Sequence, residues 1–206
     1  MNAQFFQKVL ILSPHTDDGE LGAGATIAKL VEQGSDITYF AFSAPRLQLK
    51  KECQKSLNVL GITDSKIFDF KARHFPELRQ QILEILYRYN KKNTVDLVFT
   101  PSTNDLHQDH QTITNEALRS FKSSTILGYE LPWNHIEFRE NCFVALSEQH
   151  IQKKIDALWN YQSQIEQKRT YFDKEYLKSL LRANGLKIGV QYAETFEAIK
   201  LVLNAP

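Results

Sequence analysis

His15, Asp17 and Asp18 fall together in Ser13-Pro14-His15-Thr16-Asp17-Asp18, and a second cluster reads His107-Gln108-Asp109-His110. Imidazole nitrogens and carboxylate oxygens are the ligands of catalytic zinc, which takes three of them and leaves a position open for water. His15, Asp18 and His110 can supply such a set. Asp17 is then placed beside the metal to take a proton from water as it attacks a carbonyl. His107, one turn from His110, can donate a proton to a leaving amine or stabilise an oxyanion, and Asp109 can hold an imidazole in the needed tautomer. These residue types point to metal-assisted hydrolysis. Each cluster alone has a plainer reading. Asp17 or Asp18 can simply cap a helix beginning near Leu21, and His107 and His110 can be surface residues at a helix start, where Asp109 is favourable. The chemistry requires the clusters to meet.

The elements around them predict that meeting. The first cluster follows the apolar run Val9-Leu10-Ile11-Leu12, and the second follows Val95-Asp96-Leu97-Val98-Phe99 and the polar loop Thr100 to Asp105. Strand-like runs at 8–13, 36–43, 66–70 and 95–100 alternate with helix-like runs at 21–33, 46–60, 76–92 and 110–122. This is the grammar of an α/β, mostly parallel, doubly wound sheet flanked by helices. Gly34 and Gly61 fall where the first two helices should stop, and Pro76 suits a first turn. Beyond them, Thr125 to Tyr129 reads as a strand, Glu130 to Asn141 as irregular, and Phe143 to Leu146 as a strand. His150 to Gln162 and Asp173 to Ala183 read as helices, the latter stopped by Asn184-Gly185. Phe196 to Leu203 closes the chain as a strand. With strand order 3-2-1-4-5, strands 1 and 4 are neighbours whose outgoing connections diverge and open a ligand crevice. The two clusters leave those strands, and the right-handed crossover rule leaves few other topologies.

The 206 residues are 42% hydrophobic and 24% charged, which suits a single domain over 1–206. Net charge is +1, from 25 basic and 24 acidic residues that are well mixed, so a nucleic-acid partner is not expected. A small molecule is. Cys53 and Cys142 lie far apart, and the first seven residues lack a charged signal-peptide region, so a reducing cytoplasm is the expected compartment. No apolar run reaches the ~18 residues needed to span a bilayer.

Ser13-Pro14-His15-Thr16-Asp17-Asp18-Gly19-Glu20-Leu21-Gly22-Ala23-Gly24-Ala25-Thr26 and His107-Gln108-Asp109-His110 resemble the paired signatures of the PIG-L/LmbE-like deacetylases, and the resemblance spans the chain. It implies a Rossmann-like fold and a zinc-dependent hydrolase that removes the acetyl group from N-acetylated amino sugars, commonly N-acetylglucosamine derivatives. By position, it assigns His15, Asp18 and His110 as zinc ligands, Asp17 as general base, His107 as the residue assisting at the tetrahedral intermediate, and Asp109 as the acid between the histidines. Fe2+ is an alternative metal for such a site. Departures are local: Thr16 replaces a proline, Gly19 stands where many members have Glu, and Ala25 replaces a glycine. Tyr192 to Glu197 also resembles a family segment, without a catalytic role for Glu194.

Substrate contacts are expected from loops on the same sheet edge, with Arg46 and Glu130 to Glu137 as candidates. Trp133 can stack on a sugar, though packing its own loop down is favoured, and Asn134 and His135 can bond hydroxyls. Arg169 and Tyr171 are expected on a solvated surface rather than at a sugar or phosphate, and His74 and His150 on the surface. Cys53 is not expected to be a nucleophile. Two other classes stand against the deacetylase reading. Asp105-Leu106-His107-Gln108-Asp109-His110 resembles the ligand run of metallo-β-lactamase-like enzymes, but Asp105 occupies the first His position. A non-catalytic sugar- or nucleotide-binding module is argued against by the absence of a third glycine at Ile27.

Overall fold

The computed structural model describes residues 6–202. Its first half is β1 (Lys8–His15), α1 (Asp18–Glu32), β2 (Asp36–Ser43), α2 (Leu47–Leu60), β3 (Asp64–Ile67), α3 (Phe75–Lys92), β4 (Leu97–Pro101), α4 (Gln108–Ser120) and β5 (Thr125–Tyr129). The second half is β6 (Cys142–Leu146), α5 (Glu148–Leu158), α6 (Gln162–Glu166), α7 (Lys174–Lys187) and β7 (Tyr192–Lys200). One sheet runs β3-β2-β1-β4-β5-β7-β6. Strands β1 to β5 pair in parallel, and β7 lies antiparallel between β5 and β6. The expected 3-2-1-4-5 order is therefore present, extended at one edge, and the class is α/β with a mostly parallel sheet.

Why β1 is continuously apolar follows from its two covered faces. Val9 and Ile11 pack with Ile27 of α1 and Leu57 of α2, while Leu10 and Leu12 pack with Ile82 of α3 and Ile113 of α4. Gly34 and Gly61 have φ of 86° and 83°, the left-handed turn that ends each preceding helix without a Cβ clash.

Several boundaries differ from the sequence reading, each for a local reason. Helix α1 starts at Asp18 and α4 at Gln108, so Asp18, Asp109 and His110 lie in first turns while Asp17 and His107 occupy the positions just before them. Strand β3 occupies Asp64–Ile67 rather than 66–70, although Phe68 and Phe70 still donate backbone hydrogen bonds to the carbonyls of Ala41 and Phe42. The helix expected over 150–162 breaks after Leu158, where Tyr161 turns its hydroxyl inward. Asn184-Gly185 does not stop α7. A Cβ on Gly185 would sit 2.7 Å from the backbone of Val190 and Gln191, so glycine here permits close packing, and the left-handed residue is Gly189. Strand β7 begins at Tyr192, and Leu203 lies outside the described residues. No helix among the described residues is long and apolar enough to cross a membrane.

Candidate active site

The two clusters meet at the C-terminal ends of β1 and β4. His15 ends β1 and Asp18 opens α1; the His15 Nδ1 lies 3.0 Å from Asp18 Oδ2. The His110 Nε2, from α4, lies 3.3 Å from that same oxygen and 3.3 Å from His15 Nδ1. Two ligand atoms of a tetrahedral site with bonds of about 2.0–2.2 Å sit about 3.3–3.6 Å apart. The triangle of one carboxylate oxygen and two imidazole nitrogens is close to that size, so the donor set fits a divalent metal. A second combination, His15, His107 and His110, places its donor atoms within 4.8 Å of one another. The first is the tighter set.

Each histidine of the triangle is turned by a buried carboxylate on its other nitrogen. His110 Nδ1 lies 2.7 Å from Asp105 Oδ2, and His15 Nε2 lies 3.1 Å from Asp109 Oδ2. A proton on each of those outer nitrogens leaves the inner lone pairs facing the triangle, the usual carboxylate–histidine–metal relay. Asp109 is fully buried and is also fixed by the backbone N–H groups of Arg73 (2.6 Å) and Phe75 (3.1 Å). It thus positions His15 and lies outside the group of side chains lining the cleft. Asp105, which the sequence reading placed in the polar loop and at the first position of the rejected metallo-β-lactamase-like run, does the same for His110.

Asp17 and His107 line the cleft beside the triangle. Asp17 precedes α1 but makes no side-chain capping bond, so the plain capping reading does not account for it. Burial, then the neighbouring Asp18 carboxylate, raises Asp17 to about 7, the range a general base needs near neutrality. Burial opposes charge on His15 and His110, but Asp18 together with Asp109 at His15 and with Asp105 at His110 outweighs it, raising them to about 10 and about 9. Asp18 itself is held well below the usual carboxylate range: burial opposes its charge, and His110 and His15 prevail. His107 is shifted down by burial and by the two neighbouring histidines. Its Nδ1 accepts from the Asp109 N–H at 3.1 Å, so a neutral ring carries its proton on Nε2 as a donor.

Behind this floor lies a buried polar network. Glu20 is fully buried and accepts from Tyr39, from Tyr161 at 2.7 Å and from Ser56 at 2.7 Å. The Tyr161 hydroxyl also stands 2.6 Å from the Thr16 carbonyl, in the loop between β1 and α1. Two residues on, Ser163 donates its backbone N–H (2.9 Å) and hydroxyl (2.5 Å) to buried Glu52 of α2. These ties hold the segment 159–173 across the cleft, where it contributes Gln164, Arg169 and Tyr171. The Tyr171 ring stacks on Trp133 at 4.0 Å and 15°.

The cleft, of about 350 Å³, also includes Pro45, Arg73 and Asn134. Arg169 is exposed, as expected of a solvated surface, yet it lines the cleft together with the half-buried Tyr171. Their distance in sequence from both motifs hid this. Trp133 both packs its loop, through Tyr171, and faces the cleft. His135 points instead into its own loop, bonded to Ser102 Oγ at 2.9 Å and the Leu131 carbonyl at 2.8 Å. Arg46 adjoins the cleft residue Pro45 without lining it. His150, expected on the surface, is buried in the capping box of α5 and lies 2.6 Å from Glu32. His74 precedes α3 and contacts Glu77. Cys53 is buried, its thiol pushed well above the ordinary range by burial and by Glu20, as expected of an inert cysteine.

Fold and site together define a Rossmann-like α/β protein with a His/Asp metal-type centre at the switch point of its sheet. The PIG-L family, GlcNAc-PI de-N-acetylase, matches residues 10–121, a stretch from β1 through α4 that holds both clusters. The chain belongs to this deacetylase family. It is 26% identical over 167 residues to the uncharacterized deacetylase YaiS of Escherichia coli K12, covering 75% of this chain and 90% of that protein. It is 24% identical over 222 residues to the diacetylchitobiose deacetylase of Thermococcus kodakarensis, covering 91% and 81% respectively. The crystal structure of the conserved protein TT1542 from Thermus thermophilus superposes with a TM-score of 0.79 at 24% identity, covering 97% of this chain and 98% of that one.

Proposed function

We propose that this protein is a zinc-dependent N-deacetylase that hydrolyses the acetyl amide of an N-acetylated amino sugar or its conjugate, of the N-acetylglucosamine type. The observation that carries the proposal is the convergence of His15 Nδ1, Asp18 Oδ2 and His110 Nε2 into one triangle, with Asp17 and His107 lining the same cleft. Family membership and the relative named as a diacetylchitobiose deacetylase support the substrate class. His15, Asp18 and His110 would hold the metal, whose contribution is Lewis acidity toward the acetyl carbonyl and toward water. Fe2+ is compatible with the same nitrogen and oxygen donors.

Asp17 takes the proton of the water that adds to the acetyl carbon. The Nε2–H of His107 hydrogen-bonds the oxyanion as the carbon becomes tetrahedral. The C–N bond then breaks, the proton passes to the departing nitrogen, and acetate and a free amino sugar result. Asp105 and Asp109 act through His110 and His15 as positioning residues. The Trp133–Tyr171 wall offers an aromatic face to a sugar ring.

The test is acetate and amine release from a panel of N-acetylated sugars by zinc-loaded protein, beside Asp17→Asn at equal metal content. Loss of about 10²- to 10⁴-fold in the variant is expected for a missing general base. Undiminished hydrolysis by Asp17→Asn would overturn that role, and metal-replete protein that releases no acetate from any sugar would overturn the deacetylase reading.

A further inference from the structure

Two phenol hydroxyls converge on one backbone carbonyl beside the general base. The Thr16 carbonyl, whose carbon is bonded to the Asp17 nitrogen, lies 2.6 Å from the Tyr161 hydroxyl and 3.2 Å from the Tyr39 hydroxyl, and both phenols also bond Glu20. The Cys53 thiol stands farther off, at 3.7 Å. Tyr39 comes from β2 and Tyr161 from the break between α5 and α6, and both are fully buried, as is Glu20. Gly19 keeps the space for this arrangement, because a Cβ there would sit 2.6 Å from the Tyr39 hydroxyl. The position where the family signature commonly has Glu is thus held open for a phenol. Ser56 donates to Glu20 at 2.7 Å and makes no hydrogen bond to the Thr16 carbonyl.

We infer that Tyr161 and Tyr39 are positioning residues for the general base: their hydroxyls, steadied by Glu20, fix the Thr16–Asp17 peptide and so aim the Asp17 carboxylate. The inference rests on the deacetylase reading and adds two residues to its machinery. Asp17 makes no side-chain capping bond, so the backbone on either side of it places its carboxylate. On one side its carbonyl accepts the Leu21 N–H at 2.9 Å. On the other stands the Thr16 peptide, held by the two phenols. Asp18 has a separate hold, from the His15 N–H at 2.8 Å and the His15 ring at 3.0 Å, so the clamp serves the base rather than the metal triangle. A carbonyl walled in by buried rings is left an unsatisfied acceptor when a hydroxyl is removed, and its peptide turns toward another donor. Misplacing a reacting group by about 1 Å costs on the order of a hundredfold in rate. Tyr161 also belongs to the wall that brings Gln164, Arg169 and Tyr171 to the cleft, so the base is aimed only when that wall is seated.

The test compares kcat and KM for acetate release from a panel of N-acetylated sugars that includes N-acetylglucosamine and diacetylchitobiose, with every protein at equal zinc content. Tyr161→Phe and Tyr39→Phe each remove a hydroxyl from the Thr16 carbonyl, and Ser56→Ala removes one from Glu20 alone. Tyr161→Phe should lower kcat by about 10- to 100-fold while KM and zinc affinity stay within about twofold, and Tyr39→Phe, with the longer bond, should do the same to a smaller extent. Ser56→Ala should lower the melting temperature as Tyr161→Phe does, yet keep kcat within about twofold. Crystal structures of the zinc-loaded variants should show the Asp17 carboxylate displaced in Tyr161→Phe and in place in Ser56→Ala. An unchanged kcat in Tyr161→Phe, a loss confined to KM, or equal losses of kcat in Tyr161→Phe and Ser56→Ala would overturn the positioning role and leave the deacetylase reading standing. Should Tyr161→Phe not fold, Tyr39→Phe is held to the same outcomes. If the wild-type protein releases acetate from no sugar, the deacetylase reading falls, and the structures then decide the positioning role: an Asp17 carboxylate that has not moved in Tyr161→Phe overturns it.

Discussion

Zinc uptake at this site should be steeply pH-dependent, with a slope set by the carboxylates around the two histidines. Without metal, His15 and His110 hold protons up to about 10 and about 9, because Asp18, Asp109 and Asp105 outweigh the burial that opposes their charge. A metal needs those lone pairs, so each ion bound must displace both protons. The sign follows directly: both folded-state values lie above neutrality, so raising the pH removes the competing protons and tightens binding until those values are passed. Between pH 7 and 8 both groups are still protonated, and the apparent association constant should rise about a hundredfold, one decade per proton. Two histidines at their ordinary value of ~6.5 would change it less than twofold over the same interval. Competition against a chelator of known pH dependence measures the slope, and calorimetry in buffers of different ionisation enthalpy counts the protons. Asp105→Asn removes the charge behind His110 and should reduce the slope. A wild-type rise of only a few-fold between pH 7 and 8 would mean that these histidines are not protonated by their carboxylates and would refute the reasoning.

Three further outcomes are expected. Lys154 is buried with its Nζ 2.7 Å from Glu194 and 2.6 Å from the Leu21 carbonyl, so Glu194→Gln should cost about 3–5 kcal/mol by leaving a buried charge unpaired; Lys154→Met together with Glu194→Gln should recover much of it in urea unfolding. The rate of the metal-loaded enzyme should fall by about tenfold per unit on the acid side, from a midpoint no higher than about 7, since Asp17 must be ionised to accept a proton and a bound cation can only pull it lower; a rate that stays flat down to pH 4 would contradict its role. Gly22→Ala places a Cβ 2.3 Å from the buried Tyr129 ring and should destabilise by about 1–3 kcal/mol, checked by thermal unfolding.

Much of this molecule is legible in the chain because simple physics leaves few choices. A continuous apolar run between polar turns reads as a doubly covered strand, and Gly34 and Gly61 end their helices where φ must turn positive. The meeting of His15, Asp18 and His110 follows from strand order alone. What escapes is contact made by segments that return from far along the chain. Nothing in Lys168-Arg169-Thr170-Tyr171 announces that it lies beside Trp133. His150 reads as a surface helix residue, yet it closes a capping box on Ser147. Asp105 reads as a loop acid standing where another ligand run has its first histidine, and only the fold shows it against His110. Gly185 carries the signature of a helix stop, and only the close approach of the Val190–Tyr192 backbone shows another use for a missing side chain.

The segment 159–173 has a consequence for exchanging specificity between relatives. It forms one wall of the cleft, yet it is fastened to the molecule through Tyr161 on Glu20 and Ser163 on Glu52. Glu20 belongs to α1, the helix that carries Asp18, and Glu52 to α2, so the wall and the floor of the cleft share their anchors. A chimera that imports a different wall alone would take from buried Glu52 its Ser163 hydroxyl donor and leave buried Glu20 with only those of Tyr39 and Ser56. The transferable unit is the wall with Tyr161, Ser163, Glu20 and Glu52, a cassette drawn from three separate stretches of sequence.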